Sequence, residues 1–170
     1  MNKKNNTLKL IYSAMFIALS VVFTRFFSIK LPNLRIGFGF LPLAVCGMYM
    51  GPFDTAIVAG VADLIGSYLF PQGPFFPGFV LSALTTGFLY GYFLKKDTVK
   101  SKDVILTIVL ITIIVRMGMN NLWLTMMGVN SFKALVAVRI IPQIITALVQ
   151  IPVILLTYRY LVSRIKLNID

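Results

Sequence analysis

Apolar runs interrupted by glycine, proline and clusters of charge divide this chain into six helical segments. Residues 8–27 (LKLIYSAMFIALSVVFTRFF) form the first. At 1.5 Å per residue they span a hydrocarbon core of about 30 Å. After a break at 30–37 (KLPNLRIG), the run from Phe38 to Met50 predicts a second helix, with Pro42 tolerated near its start and Gly51-Pro52 ending it. A third covers about 53–70. The segment FPQGPFFPGF at 70–79 cannot continue it, because its prolines and glycines break the ladder, while its phenylalanines require an apolar surface to rest on. A fourth helix at about 79–94 stops at the polar run KKDTVKSKD. The fifth spans about 104–126 and the sixth about 138–163, with kinks expected at Pro142 and Pro152. The expected fold is all-α, a single six-helix membrane domain over residues 1–170.

Composition supports the membrane assignment. The chain is 58% hydrophobic and 12% charged, with a mean hydropathy of +0.89, more apolar than a soluble domain of 170 residues can bury. Its formal net charge of +11 would suit nucleic acid in a soluble protein. Here most basic residues flank apolar segments and suit the anionic cytoplasmic leaflet, so no nucleic-acid partner is expected. Lys3 and Lys4 ahead of the first run resemble a signal peptide, but no small-residue cleavage site follows, so the segment reads as a retained helix. Cys46, the single cysteine, reads as a small buried hydrophobe. Histidine and glutamate are absent, which leaves little from which to build a metal site or a catalytic residue set. Neither an enzyme nor a metal or organic cofactor is expected. No Gly-x-x-x-x-Gly-Lys-Ser/Thr loop is present, so ATP hydrolysis would have to come from partners.

With the N-terminus inside, ten of the sixteen basic residues fall on the cytoplasmic side: Lys3, Lys4, Lys9, Lys95, Lys96, Lys100, Lys102, Arg159, Arg164 and Lys166. Both termini are then cytoplasmic. Arg25, Lys30, Arg35, Arg116, Lys133 and Arg139 lie toward the outside, against the positive-inside tendency. Counting from the inner helix ends at 1.5 Å per residue puts Asp63 about 15 Å deep, Arg116 about 18 Å and Arg25 about 24 Å, with Gln143 and Arg139 further out. Charge at such depth costs about 3 kcal/mol or more and is normally retained for a ligand, an ion or a partner charge. Arg116, Asn120 and Trp123 share one helical face, and Arg139, Gln143, Thr146 and Gln150 share another, while Ser67 stands one turn from Asp63. Turning these stripes inward creates one cavity open to the outside. Local readings compete: Arg25 can snorkel, Arg35 and Lys133 can be solvated loop charges, Asp63 can pair with Arg116, and Trp123 can belong to the aromatic belt. Asp54, just after the Gly-Pro turn, reads as a cap of the third helix.

Four arginines facing one carboxylate call for an acidic ligand, and the lone Asp63 wants an amidine-like donor pair. Twenty-two aromatic residues (14 Phe, 7 Tyr, 1 Trp) supply faces for a flat ring. The inferred ligand is a planar heterocycle with an acidic tail.

Four segments carry a family resemblance: LRIGFGFLPLAVCGMYMGP (34–52), LIGSYLFPQGPFFPGFVLSALTTGFLYG (64–91), RMGMNNLWLTMMG (116–128) and RIIPQIITALVQIP (139–152). In order and spacing they resemble the substrate-binding (S) components of energy-coupling-factor (ECF) vitamin transporters, and within them the folate-specific FolT family. The third segment reads Asn120-Asn121-Leu122-Trp123-Leu124 where the family signature is of the Asn-Thr-x-Trp-Leu type. The resemblance implies a six-helix subunit of a bacterial cell membrane that captures folate or a related pterin outside. It has no ATPase of its own and works with a transmembrane coupling (T) component and two cytosolic ABC-type ATPases. On that basis Asp63 would pair with pterin N–H groups, Trp123 and Phe75 would stack rings, and Arg25, Arg35, Arg116 and Arg139 would take carboxylates or the pterin oxygen, with Asn120 and Gln143 beside them. Phe75, Phe76 and Pro77 would form a gate loop. Ala14 and Ala18, an Ala-x-x-x-Ala pair, would meet the coupling subunit. Another vitamin, such as riboflavin or thiamine, and an autonomous small-molecule transporter are the alternatives; the arginine surplus disfavours cationic thiamine.

Overall fold

The computed structural model describes residues 3–31, 34–71, 74–96 and 98–162. The side chains of residues 28–36, Arg35 among them, lie outside what is described, as do Ser163, Arg164 and Lys166. In chain order come α1 (Lys3–Arg25), β1 (Ser28–Leu31), β2 (Leu34–Gly37), α2 (Phe40–Met50), α3 (Pro52–Leu69), α4 (Pro77–Leu94), α5 (Ser101–Leu110), a π-helical segment (Ile111–Met119), α6 (Asn120–Met126) and α7 (Phe132–Thr157), which widens into a π turn at Tyr158–Val162. α5, the π segment and α6 run on as one rod, so the described residues contain six rods. Four of these are long and apolar enough to cross a membrane: Thr7–Arg25, Pro77–Leu94, Ser101–Met126 and Phe132–Tyr160.

Several boundaries differ from the sequence reading. The break at 30–37 holds a hairpin in which Ser28 pairs with Gly37 and Leu31 with Leu34. α7 starts six residues earlier than expected, because the Ser131 hydroxyl accepts the Ala134 N–H and caps it. Lys133 therefore sits on a helix, not in a loop. α7 also carries both Pro142 and Pro152 without interruption. Asp54 is not a cap: Gly51 occupies that position, with φ 88°, and Pro52 begins the helix. The Asp54 carboxylate instead pairs with Lys9 Nζ at 2.7 Å, fastening α1 to α3.

α2 spans about 16 Å at 1.5 Å per residue, too short to cross alone, and it serves as the axis of the bundle. Eight of its eleven residues are buried. One face (Phe40, Ala44, Met48) packs with Tyr90 and Leu94 of α4, Val104 and Ile108 of α5 and Ile154 of α7; the other (Val45, Cys46, Met50) packs with Phe16 of α1 and Val58 of α3. A helix apolar on all sides must be enclosed by protein or lipid, and here protein encloses it.

The closest helix pairing, α3 against α4, rests on small residues. A Cβ at Gly91 would lie 2.4 Å from the Gly51 carbonyl, and one at Gly87 would lie 2.3 Å from the Thr55 carbonyl. Both neighbours are backbone and cannot step aside. Gly91→Val is therefore expected to cost about 2–3 kcal/mol, the upper end for overpacking, and to lower the melting temperature by roughly 5–10 °C. Gly118→Ala, whose nearest outside atom is a carbonyl at 3.4 Å, is the control and should melt like the parent. Thermal unfolding in detergent followed by size-exclusion fluorescence checks both.

Candidate functional site

All six rods border one cavity of about 270 Å³ at the hairpin end of the bundle. Gly37 and Gly39 bring the end of the hairpin to its edge, and Thr24 of α1 stands beside them. Phe40 and Leu43 of α2 and Phe79 and Ala83 of α4 form apolar walls. Ser82, Thr86 and Tyr90 descend the inward face of α4 at spacings of four residues. Asp63 enters from α3, Arg116 from the π segment, Asn120 from the first turn of α6 and Gln150 from α7.

The polar groups on this wall are unevenly satisfied. Arg116 Nη2 donates to Gln150 Oε1 at 2.8 Å, which fixes the guanidinium, yet its Nη1 is buried with no hydrogen-bond partner. Asp63 Oδ2, Asn120 Oδ1 and the Tyr90 hydroxyl are buried in the same condition. Native interiors pair nearly all such atoms, so four on one cavity wall call for an explanation, and a ligand supplies it. The set offers acceptors at Asp63 and Asn120 and donors at Arg116 and Tyr90. A flat molecule with N–H groups on one edge and carbonyl or ring-nitrogen acceptors on another would satisfy them. Asp63 and Arg116 do not form an ion pair with one another.

Other residues singled out from sequence lie around this cavity. Arg25 also neighbours Asp63, in a smaller chamber behind the wall, and its Nη1 donates to the Phe70 carbonyl at 2.9 Å, closing the end of α3. Trp123 does not itself border the cavity but stands behind its wall: its indole Nε1 donates to the cavity-lining Ser82 Oγ at 3.0 Å, and its ring leans on Phe76 with centroids 5.8 Å apart. A Cβ on Gly78 would sit 2.5 Å from that indole, so the start of α4 lies directly on the ring. Phe75 is exposed and packs beside Tyr68, and Pro77 opens α4. Arg139 Nη1 reaches the fully buried Asn121, not Asn120, at 3.4 Å; neither Arg139 nor Gln143 borders the cavity. Ala14 and Ala18 face outward from α1.

Sequence reasoning passed over Ser82, Thr86 and Tyr90. Their four-residue spacing was readable, but in a helix rich in glycine and threonine it reads as ordinary packing. Gln150 stands at the end of the Arg139 stripe, and only its bond to Arg116 distinguishes it from its neighbours.

A helical membrane protein with a buried, polar-lined cavity near one end is a membrane-embedded binding subunit. The family "ECF transporter, substrate-specific component" matches residues 8–162, and this chain belongs to it. It is 42% identical over 143 residues, covering 84% of this chain and 82% of the relative, to the folate transporter FolT of Clostridium novyi (strain NT). It is 27% identical over 154 residues, covering 87% and 83%, to the folate transporter FolT of Leuconostoc mesenteroides. Among solved structures, FolT bound with folic acid superposes with a TM-score of 0.78 at 34% identity, over 98% of this chain and 96% of that one.

Proposed function

We propose that this protein captures folate from outside the cell as the substrate-specific subunit of an ECF-type importer. The observation that carries the reading is the cavity wall on which Asp63 Oδ2, Asn120 Oδ1, Arg116 Nη1 and the Tyr90 hydroxyl are buried without protein partners. A pterin matches that wall: its 2-amino and ring N–H groups suit Asp63 and Asn120, and its carbonyl and ring nitrogens suit Arg116 and Tyr90. Phe40 and Phe79 supply apolar faces for the ring. At about 270 Å³ the cavity falls just under the range of about 300–1,000 Å³ for drug-sized ligands. The ring therefore sits inside, and the glutamate tail extends toward the hairpin end, where Arg35, Arg139 and Gln143 are assigned to its carboxylates. Arg25 supports Asp63, and the Phe75, Phe76 and Pro77 segment, resting on Trp123, closes the mouth.

Membership of the family supports the remaining features of the reading. The chain forms one multi-pass domain in a bacterial cell membrane with both termini cytoplasmic. It delivers its ligand with a transmembrane coupling component and two cytosolic ATPases, the former meeting α1 at Ala14 and Ala18. It catalyses no reaction itself and needs no cofactor.

Calorimetry of the purified protein with folic acid, riboflavin and thiamine tests the ligand. Folic acid alone should bind. Binding of riboflavin or thiamine in its place would reassign the cavity to that vitamin, and binding of none would end the reading.

A further inference from the structure

Behind Asp63 lies a second, more enclosed chamber of about 80 Å³, walled by α1, α2, α3 and α4 and sharing Thr24, Leu43, Asp63 and Ala83 with the main cavity. Its remaining wall holds Ser20 and Arg25 on α1 and the small side chains Ala59 and Ala62 on α3. Three buried polar atoms on this wall have no hydrogen-bond partner: Ser20 Oγ, Arg25 Nε and Asp63 Oδ2. Ser20 is only 2% exposed. The atoms are chemically complementary, since Nε only donates, the carboxylate oxygen only accepts and the hydroxyl does either. Arg25 does not close on Asp63 as an ion pair. Its Nη1 is committed to the Phe70 carbonyl at 2.9 Å and its Nη2 lies 3.5 Å from Ser67 Oγ, so the guanidinium is held at the far side of the chamber.

We infer that the chamber holds one or two structural waters that join Ser20, Arg25 and Asp63, which makes Ser20 a positioning residue for the ligand-binding carboxylate. The volume is several times the roughly 10–15 Å³ that a single water requires, and the wall offers the two to four polar partners that keep a buried water in place. The guanidinium in the wall excludes a metal cation as occupant. A water there donates to Asp63 while accepting from Arg25. It thereby stabilises the ionised carboxylate without the direct ion pair that would pull it away from the ligand cavity. Lost with the water would be the fixed orientation of Asp63, so ligand affinity would fall although no ligand contact had been removed.

This inference rests on the folate reading for its functional half, and the test separates the two. A crystal structure of the wild-type protein at about 2 Å resolution should contain a density peak within hydrogen-bond reach of Ser20 Oγ, Arg25 Nε and Asp63 Oδ2. In calorimetry, Ser20→Ala should weaken folic acid about fivefold to tenfold. Ala62→Val, which fills the chamber without removing a polar atom, should produce a similar loss with a melting temperature near the parent's. The Ala62 variant separates a water from simple packing by Ser20. An empty chamber in the crystal, a peak with metal-like distances of about 2.3–2.6 Å, or unchanged affinity in Ser20→Ala would overturn the inference. Should Ala62→Val fail to fold, the peak and Ser20→Ala decide it. If the wild-type protein binds no folic acid, the folate reading falls, and the density peak alone judges the water.

Discussion

Asp63→Asn is expected to weaken folic acid binding at least about a hundredfold in calorimetry while leaving the protein as stable as its parent or more so. Asp63 Oδ2 is buried with no partner, and Arg25 beside it directs its Nη1 to the end of α3. A carboxylate in that position accepts from a ligand's amino and ring N–H groups. Two charge-assisted bonds at about 1.5–3 kcal/mol each correspond to a factor of roughly 10² to 10⁴. Asparagine keeps the shape but removes the charge and turns N–H groups toward ligand donors, so the loss belongs at the upper part of that range. Removing a half-buried charge that makes no direct ion pair with a protein group should not destabilise it. Arg116→Ala should behave differently. It strands Gln150 Oε1, which now accepts at 2.8 Å, and so should lower binding and melting temperature together. A loss below about tenfold in Asp63→Asn would move that residue off the ligand.

The second large effect is expected on transport alone. Ala14→Trp should reduce ATP-driven folate uptake in proteoliposomes containing the complete importer to background, while folic acid affinity in detergent stays within about twofold. Ala14 and Ala18 face outward from α1, one turn apart, between the larger exposed side chains Leu10, Ile11 and Met15. Within lipid, association depends on close van der Waals approach, and a pair of alanines at this spacing admits a neighbouring helix that an indole would hold off. The position faces away from the cavity, which is why binding is spared. Full uptake by this variant would place the coupling contact elsewhere on the surface.

How much of this was readable from sequence depends on the kind of interaction involved. Long apolar runs bounded by Gly-Pro, Pro-rich and lysine-rich segments are local signals, and they marked out the rods. The 30–37 hairpin was not readable, because four-residue strands have too few positions to establish an alternation. The early start of α7 depended on one serine cap inside a mixed segment. At the site, buried charge singled out Asp63 and Arg116, since the cost of placing them in an apolar span is visible residue by residue. Trp123 illustrates the opposite case. Its place one turn beyond Asn120 points toward the cavity, but its bond to the cavity-wall Ser82, 41 residues away, and the room that Gly78 leaves for its ring are not legible in the sequence. Asp54 was likewise decided by a partner on another helix, Lys9. Tyr90 carries no charge, so only the three-dimensional wall reveals its unpaired hydroxyl.

The nine π-helical residues that hold Arg116 make the site dependent on chain length as well as on residue type. A π turn accommodates more residues than an α turn, and such segments are commonly understood as insertions tolerated where function benefits. Deleting one residue between Ile111 and Val115 would shift everything before the deletion by up to about 100° around the rod relative to Arg116, Asn120 and everything after it. No amino-acid identity at the cavity would have changed, yet its two halves would no longer face the same point.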